Sequence, residues 1–173
     1  MRSRKLGSPK GLSVRPTPGR VKESLFSILA PKIQGARFLD LYAGTGAIGF
    51  EAVSRGAGCV IAVEGHRETA ETLRDAAREF GVHELMSVVA APVDRALYRI
   101  EGTFDIVFAD PPYAQSVPLQ MFRLLLERQL LAADALIVYE HSARTILPDI
   151  PGYRSVREEV YGDVALAFFT PKS

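Results

Sequence analysis

The chain has 173 residues, 47% of them hydrophobic and 24% charged, with 14 Gly, 11 Pro, one Cys and no Trp. That length suits one domain with a core of adequate size, and the composition excludes collagen-like and disordered classes. One cysteine excludes a disulfide framework, and His66, His83 and His141 stand too far apart to suggest a metal site.

Cys59, inside Cys59-Val60-Ile61-Ala62-Val63, reads as a buried small hydrophobe. No apolar run reaches the ~18 residues of a membrane span, and no apolar segment follows the basic start as in a signal peptide. The expectation is a soluble protein of a reducing, cytoplasmic setting, with no metal and no membrane partner. The net charge of +1 hides an asymmetry. Of the 21 basic residues seven lie in residues 1–22 (Arg2, Arg4, Lys5, Lys10, Arg15, Arg20, Lys22), which hold no acidic residue. The remainder therefore has 14 basic against 20 acidic residues, a net of −6. A basic arm over residues 1–22 on an acidic domain over 23–173 suits a polyanion. Gly7, Pro9, Gly11, Pro16, Pro18 and Gly19 keep the arm from being one helix.

A first helix is predicted with Thr17 as N-cap and Pro18 at its first position. Its apolar stripe is Val21, Leu25, Ile28 and Leu29, and Pro31 ends it. Alternation follows. Strands are predicted at Arg37–Tyr42, Cys59–Glu64, Met86–Ala90, Phe104–Ala109 and Ala135–Glu140. Between them come helices at Ala47–Arg55, His66–Phe80, Val93–Ile100 and Val117–Leu131. Two runs, Tyr153–Tyr161 and Val164–Thr170, split by Gly162-Asp163, read as an antiparallel hairpin. Strands alternating with helices imply an α/β fold with a mostly parallel sheet covered on both faces.

The first strand-to-helix turn carries Gly44, Gly46 and Gly49 in a G-x-G-x-x-G pattern. Ligands of such sheets bind at the carboxyl ends of the strands. Glu64 ends the second strand, where a carboxylate can accept hydrogen bonds from both ribose hydroxyls of an adenosine. The glycines alone fit a nicotinamide dinucleotide as well as S-adenosylmethionine. Asp40, four residues before Gly44, separates the two. A carboxylate beside the helix N-terminus repels a pyrophosphate, but attracts a sulfonium and an ammonium group.

The fourth strand ends in Asp110-Pro111-Pro112-Tyr113. The prolines stiffen the backbone and remove two N–H donors, leaving a cluster of acceptors. Such a cluster suits a planar ring bearing an NH₂, with its hydrogens on Asp110 and the Pro111 carbonyl. Tyr113 would stack on the ring, as aromatics do with unpaired bases. Acceptors held out of the ring plane favour a tetrahedral nitrogen and stabilise the charge that grows on it as a methyl arrives.

With these segments in view, the chain resembles the RsmD-type 16S rRNA (guanine-N2)-methyltransferases over nearly its whole length. Arg15-Pro16-Thr17-Pro18-Gly19-Arg20-Val21-Lys22-Glu23-Ser24-Leu25-Phe26 looks like the family's entry helix, and Asp40-Leu41-Tyr42-Ala43-Gly44-Thr45-Gly46 like its cofactor loop. Glu64 looks like its ribose carboxylate, Asp110-Pro111-Pro112-Tyr113 like its catalytic tetrad, and Tyr161-Gly162-Asp163 like its hairpin turn. The resemblance implies a Rossmann-like methyltransferase fold with a seven-stranded sheet and an antiparallel C-terminal hairpin. It implies S-adenosylmethionine as cofactor, and a guanine amine of 16S rRNA, within an assembling 30S particle, as substrate. Arg4, Lys5, Lys10, Arg15 and Arg20 would hold phosphates, and the target base would be unstacked to reach Tyr113. A monomer is expected.

Two departures stand out. The family opens with a glycine-containing strand upstream of the basic stretch, which is expected to be absent or outside this sequence, since Met1-Arg2-Ser3-Arg4-Lys5 comes first. The family's Asp or Asn near the adenine aligns with Pro92, so the Val93 N–H or Asp94 would take that role. Other functions to weigh are a DNA adenine-N6 or cytosine-N4 methyltransferase, a nicotinamide-dependent oxidoreductase and a non-catalytic RNA-binding module. Glu51, Arg55, Arg67, Glu71 and Arg74 read as solvated helix faces, Val117, Met121 and Leu124–Leu126 as core, and His141 as a loop histidine.

Overall fold

A computed structural model describes residues 18–112 and 116–173. In chain order it holds α1 (Gly19–Ile33), β1 (Arg37–Leu41), α2 (Ala47–Ser54), β2 (Cys59–Glu64), α3 (Arg67–Glu79) and β3 (Met86–Ala90). Then follow α4 (Val93–Arg99), β4 (Phe104–Ala109), α5 (Leu119–Glu127), β5 (Leu131–Ser142), β6 (Tyr153–Tyr161) and β7 (Val164–Pro171). The seven strands form one sheet in the order β3-β2-β1-β4-β5-β7-β6. The first five are mutually parallel, while β7 runs antiparallel to both β5 and β6. This is the α/β sheet with an antiparallel C-terminal hairpin that the alternation implied.

Each strand divides its side chains between two apolar layers, as a period of two requires. Phe38, Val60, Ile106, Phe108, Val138, Leu166 and Phe168 face α1, α2 and α3. Leu39, Leu41, Val63, Val107, Ile137 and Phe169 face α4 and α5. Met121, Leu124 and Leu125 are buried in that second layer, with Val117 and Leu126 packed against it.

Several local expectations give way. The proposed Thr17 cap lies outside the described residues. Pro31 sits inside α1, which runs on to Ile33. A proline in the last turn forfeits one intrahelical bond, and burial of Ile33 in the core carries the helix past it. The run Leu124–Leu131 reads as continuous helix, but α5 stops at Glu127. Gln129 takes φ 54°, and the N–H groups of Arg128, Gln129 and Leu130 close back on Leu124, Leu126 and Leu125. No glycine announces this stop. β5 starts at Leu131 rather than Ala135: Leu131 pairs with Phe104, and a register shift separates that pair from Ile106–Leu136, so the low-propensity Ala132-Ala133-Asp134 falls at the irregularity. The strand runs on to Ser142, so His141 belongs to β5 and is buried, not in a loop. Cys59 is only half-buried, at the first position of β2.

Glu51 is buried rather than on a solvated face. Its carboxylate takes Arg55 at 2.8 Å and Lys22 at 3.7 Å, and Arg55 also reaches Glu23 at 3.1 Å. This network fastens α1 to α2. Arg74 likewise turns inward and donates to the Val88 carbonyl at 3.1 Å. Among the described residues no helix is long and apolar enough to cross a membrane, and no group of three or more His, Cys, Asp or Glu is placed to hold a metal ion.

Candidate active site

The loop between β1 and α2 is built over Asp40. This side chain points into the layer of α1–α3, with only 1% of its surface exposed. Its Oδ2 accepts the Gly49 N–H at 3.1 Å. Burial pushes the carboxyl up to about 7; the Gly49 hydrogen bond opposes this and nearby Glu64 adds to it. Two glycines of the G-x-G-x-x-G pattern are required by contact. A Cβ on Gly49 would lie 3.0 Å from Met86 Cε and 3.2 Å from Asp40 Oδ2. Gly46 has φ 83°, and a Cβ there would lie 2.3 Å from Leu73 Cδ1 and 2.9 Å from Phe50 Cε2. α2 can start this close to the sheet only because no side chains intervene.

Tyr42 leaves the strand it was expected to end. It takes φ 59°, which turns the chain so that the Ala43 N–H donates to Val63 O at 2.9 Å. Half-buried, its phenol is pushed up to about 12, first by desolvation and then by the charges of Asp94 and Tyr139. Glu64, at the end of β2, bridges two loops. Its Oε1 accepts Gly44 N–H at 2.9 Å and its Oε2 accepts His66 N–H at 2.8 Å. Each oxygen keeps a second lone pair for a ligand hydroxyl. Thr45 is half-buried in the same loop. Beyond β3, Val93 is buried at the start of α4, and the exposed Asp94 accepts the Arg95 N–H at 3.1 Å.

β1 pairs directly with β4, and Leu41 sits opposite Ala109. Asp110 and Pro111 thus emerge beside the glycine loop, Asp110 half-buried, Pro111 buried and Pro112 exposed. Tyr113 lies outside the described residues. The next strand adds Tyr139, which the sequence does not single out, and His141, which it reads as a loop histidine. Tyr139 pairs with Ala109, and its phenol is raised by burial and by the charge of Asp110. His141 stacks on Tyr139 with ring centroids 5.3 Å apart. The available signal is a polar pair two residues apart closing an apolar strand, Tyr139 and His141, on the face that carries Ile137.

Glu64 and Asp110 thus end or follow β2 and β4, Asp94 lies in the first turn of α4, and Asp40 is buried beneath α2. The acceptors Glu64, Asp94 and Asp110 fit a ligand with a ribose diol and positive charge. They do not fit a pyrophosphate at the start of α2, which would face Glu64.

The hairpin turn comes to the same edge, since Val164 pairs with Ser142 and Ala143 N–H donates to Asp163 O at 2.8 Å. α1 begins there too. Ser24 Oγ hydrogen-bonds Tyr161 Oη, and Arg20 Nη2 lies 3.9 Å from where a Cβ on Gly162 would be. Arg20 is exposed. Arg4, Lys5, Lys10 and Arg15 lie outside the described residues; the described chain starts at Pro18, near the hairpin turn.

A family model described as conserved hypothetical protein 95 matches residues 1–170. "Putative rRNA methyltransferase YlbH" of Bacillus subtilis is 34% identical over 172 residues, which span 97% of this chain and 94% of that protein. "Ribosomal RNA small subunit methyltransferase D" of Escherichia coli is 36% identical over 177 residues, spanning 97% of this chain and 85% of that protein. Among solved structures, "Putative methyltransferase yhhF from Escherichia coli" superposes with a TM-score of 0.86 at 35% identity, covering 98% of this chain and 92% of that one.

Proposed function

The chain belongs to the family of the ribosomal RNA small subunit methyltransferase D proteins, and from that premise we propose that it methylates the exocyclic N2 amine of a guanine in 16S rRNA, with S-adenosylmethionine as donor. One observation carries the reading. The amine-acceptor cluster Asp110-Pro111 leaves β4 directly beside the glycine loop of β1, where Leu41 pairs with Ala109.

The cofactor, when bound, supplies an electrophilic methyl on a positively charged sulfur. Glu64 holds the ribose hydroxyls with the lone pairs that Gly44 and His66 leave open. The Val93 N–H or Asp94 meets the adenine edge. Asp40 braces Gly49 from beneath through its hydrogen bond to the Gly49 N–H. Tyr42, Ala43, Gly44, Thr45 and Gly46 supply the loop that closes over the methionine part.

Asp110 and the Pro111 carbonyl accept the two amine hydrogens of the target base. Their pull would draw the nitrogen lone pair out of the ring and steady the positive charge that develops as an N–C bond forms and the donor's S–C bond breaks, with S-adenosylhomocysteine leaving. The cationic amine would then give its proton to solvent, which needs no strong base. Fixing amine and methyl in line supplies the rest of the rate. Tyr113 stacks on the flipped base, and Pro112 stiffens the turn between them. Arg20 on α1 holds phosphates at that edge, and Arg4, Lys5, Lys10 and Arg15, which precede it in the sequence, bind phosphates of the same rRNA. Methylation of an assembling 30S particle by a monomer fits this arrangement.

Two measurements test the reading. Calorimetry should give binding of S-adenosylmethionine and S-adenosylhomocysteine but not of NADH. Labelled-methyl transfer to 30S particles or naked 16S rRNA, followed by nuclease digestion, should yield N2-methylguanosine. Asp110→Ala should keep cofactor binding and lose at least about a hundredfold in transfer. A folded chain that binds neither adenosyl ligand, or a methyl found on another atom, defeats the proposal.

A further inference from the structure

β5 ends in a tight turn that carries two exposed side chains, Arg144 and Ile146. Three backbone donors pin it. Arg144 N–H meets Ser142 Oγ at 3.2 Å. Thr145 N–H meets the Ser142 carbonyl at 3.0 Å, and Ala143 N–H meets the Asp163 carbonyl of the hairpin turn at 2.8 Å. Leu147, the residue after Ile146, packs against the layer of α4 and α5. Ile146 is thus held between two anchors, yet 94% of its surface is exposed, and no large apolar side chain among the described residues is more so. One exposed apolar side chain is ordinary on a protein surface. One held on a fixed turn in this place calls for an explanation.

The place is the carboxyl edge of the sheet. β4 ends at Ala109, which pairs with Tyr139. Ser142 is three residues further along β5, so the turn stands about 10 Å beyond the end of the neighbouring strand. Below that level Asp110 is half-buried and Pro111 buried, so a base must leave its stack to bring an amine to them. The charges around the turn match the backbone of such a strand. Arg144 is exposed on it, and Arg20 borders the same hairpin turn, with Nη2 3.9 Å from where a Cβ on Gly162 would be. The acid of that hairpin turn is the exposed Asp163.

We infer that Ile146 is a wedge: it enters the rRNA stack beside the target guanine and fills the gap that the flipped base leaves, while Arg144 holds a phosphate of the same strand. The inference rests on the proposed amine site at Asp110 and Pro111. Withdrawing a base bares the faces of its neighbours to water, and an aliphatic side chain covers them. Proteins that unstack nucleic acids insert apolar side chains in this way. Ile is stiff at χ1 and the turn fixes its backbone, so little freedom is lost on insertion.

The test uses 16S rRNA or 30S particles in which the guanine methylated by the wild type has been mapped, the same substrate with that base removed, and an RNA without the site. Ile146→Ser should lower kcat/KM on guanine about tenfold or more, and weaken binding to the abasic substrate about as much, because the gap is then unfilled. It should leave binding to the site-free RNA, S-adenosylhomocysteine affinity and the urea midpoint unchanged, since the side chain is exposed. Ile146→Leu should recover most of the loss. Arg144→Gln should flatten the salt dependence of rRNA binding by about 0.7–0.9 in log–log slope. An Ile146→Ser enzyme with wild-type rate, with wild-type affinity for the abasic substrate, or with an equal loss on the site-free RNA overturns the inference and leaves the function standing. A wild type that binds S-adenosylhomocysteine but methylates no guanine amine defeats the proposed function and this inference together.

Discussion

Asp40 sits under the first turn of α2 with its carboxyl pushed up to about 7 by burial, against an ordinary value of 3.8. The folded chain therefore binds a proton that the unfolded chain has released between about pH 4 and 7. Stability from this group is fully present below the unfolded value and is lost as pH rises through 7. A shift of this size corresponds to about 4 kcal/mol, at about 1.4 kcal/mol per pH unit. Asp40→Asn keeps an acceptor for the Gly49 N–H and cannot ionise. Urea midpoints from pH 4 to 8 should fall for the wild type and stay flatter for the variant, which becomes the more stable of the two above pH 7. A wild-type curve that rises over this range would mean that Asp40 is ionised throughout. The residue scale also shows what the sequence could not convey. Asp40 is recognisable as an acid beside the loop, but its depth beneath α2 depends on which face of β1 it shares with Phe38. Glu64 is recognisable as a strand-end carboxylate, but its two backbone donors come from loops 20 and 2 residues away.

At the scale of elements, the β1–α2 turn is the most constrained piece of backbone. Gly46→Ala would need φ 83° on a residue with a Cβ and would drive that atom against Leu73 and Phe50. Such strain and overpacking cost about 1–3 kcal/mol. Chemical denaturation should show that loss, and calorimetry a loss of S-adenosylhomocysteine affinity beyond it, because α2 must shift away from the loop. The strands β2, β3, β4 and β6 are legible to the residue, since each apolar or alternating run has Gly, Pro or a charged residue within two positions of either end. The end of α5 and the start of β5 are not. There the apolar side chains of the helix and of the strand adjoin, and the break depends on Gln129 adopting a conformation usually left to glycine. The far end of β5 is likewise illegible, since His141 reads as a loop residue but pairs with Ala165 of β7.

Over the whole molecule, charge is divided between the first 22 residues, with seven basic side chains, and a remainder of net −6. An acidic body repels rRNA, so on the proposed function binding should depend on the basic residues of that segment, Arg20 among them. Replacing Arg4, Lys5, Lys10, Arg15 and Arg20 by Gln should flatten the plot of log affinity against log salt by about 0.7–0.9 for each phosphate that is no longer neutralised. S-adenosylhomocysteine affinity should not change. A slope identical to that of the wild type would mean that other side chains neutralise the phosphates.

The last strand in chain order, β7, is inserted between β5 and β6. Its Leu166 and Phe168 share an apolar layer with Leu25 and Phe26 of the first helix. A chain emerging from the ribosome can thus assemble β1 to β5 while α1 still lacks part of its bed. The bed of the first helix is complete only when residues 164–171 have arrived, so the segment before that helix, proposed above to hold rRNA phosphates, would be anchored last during synthesis.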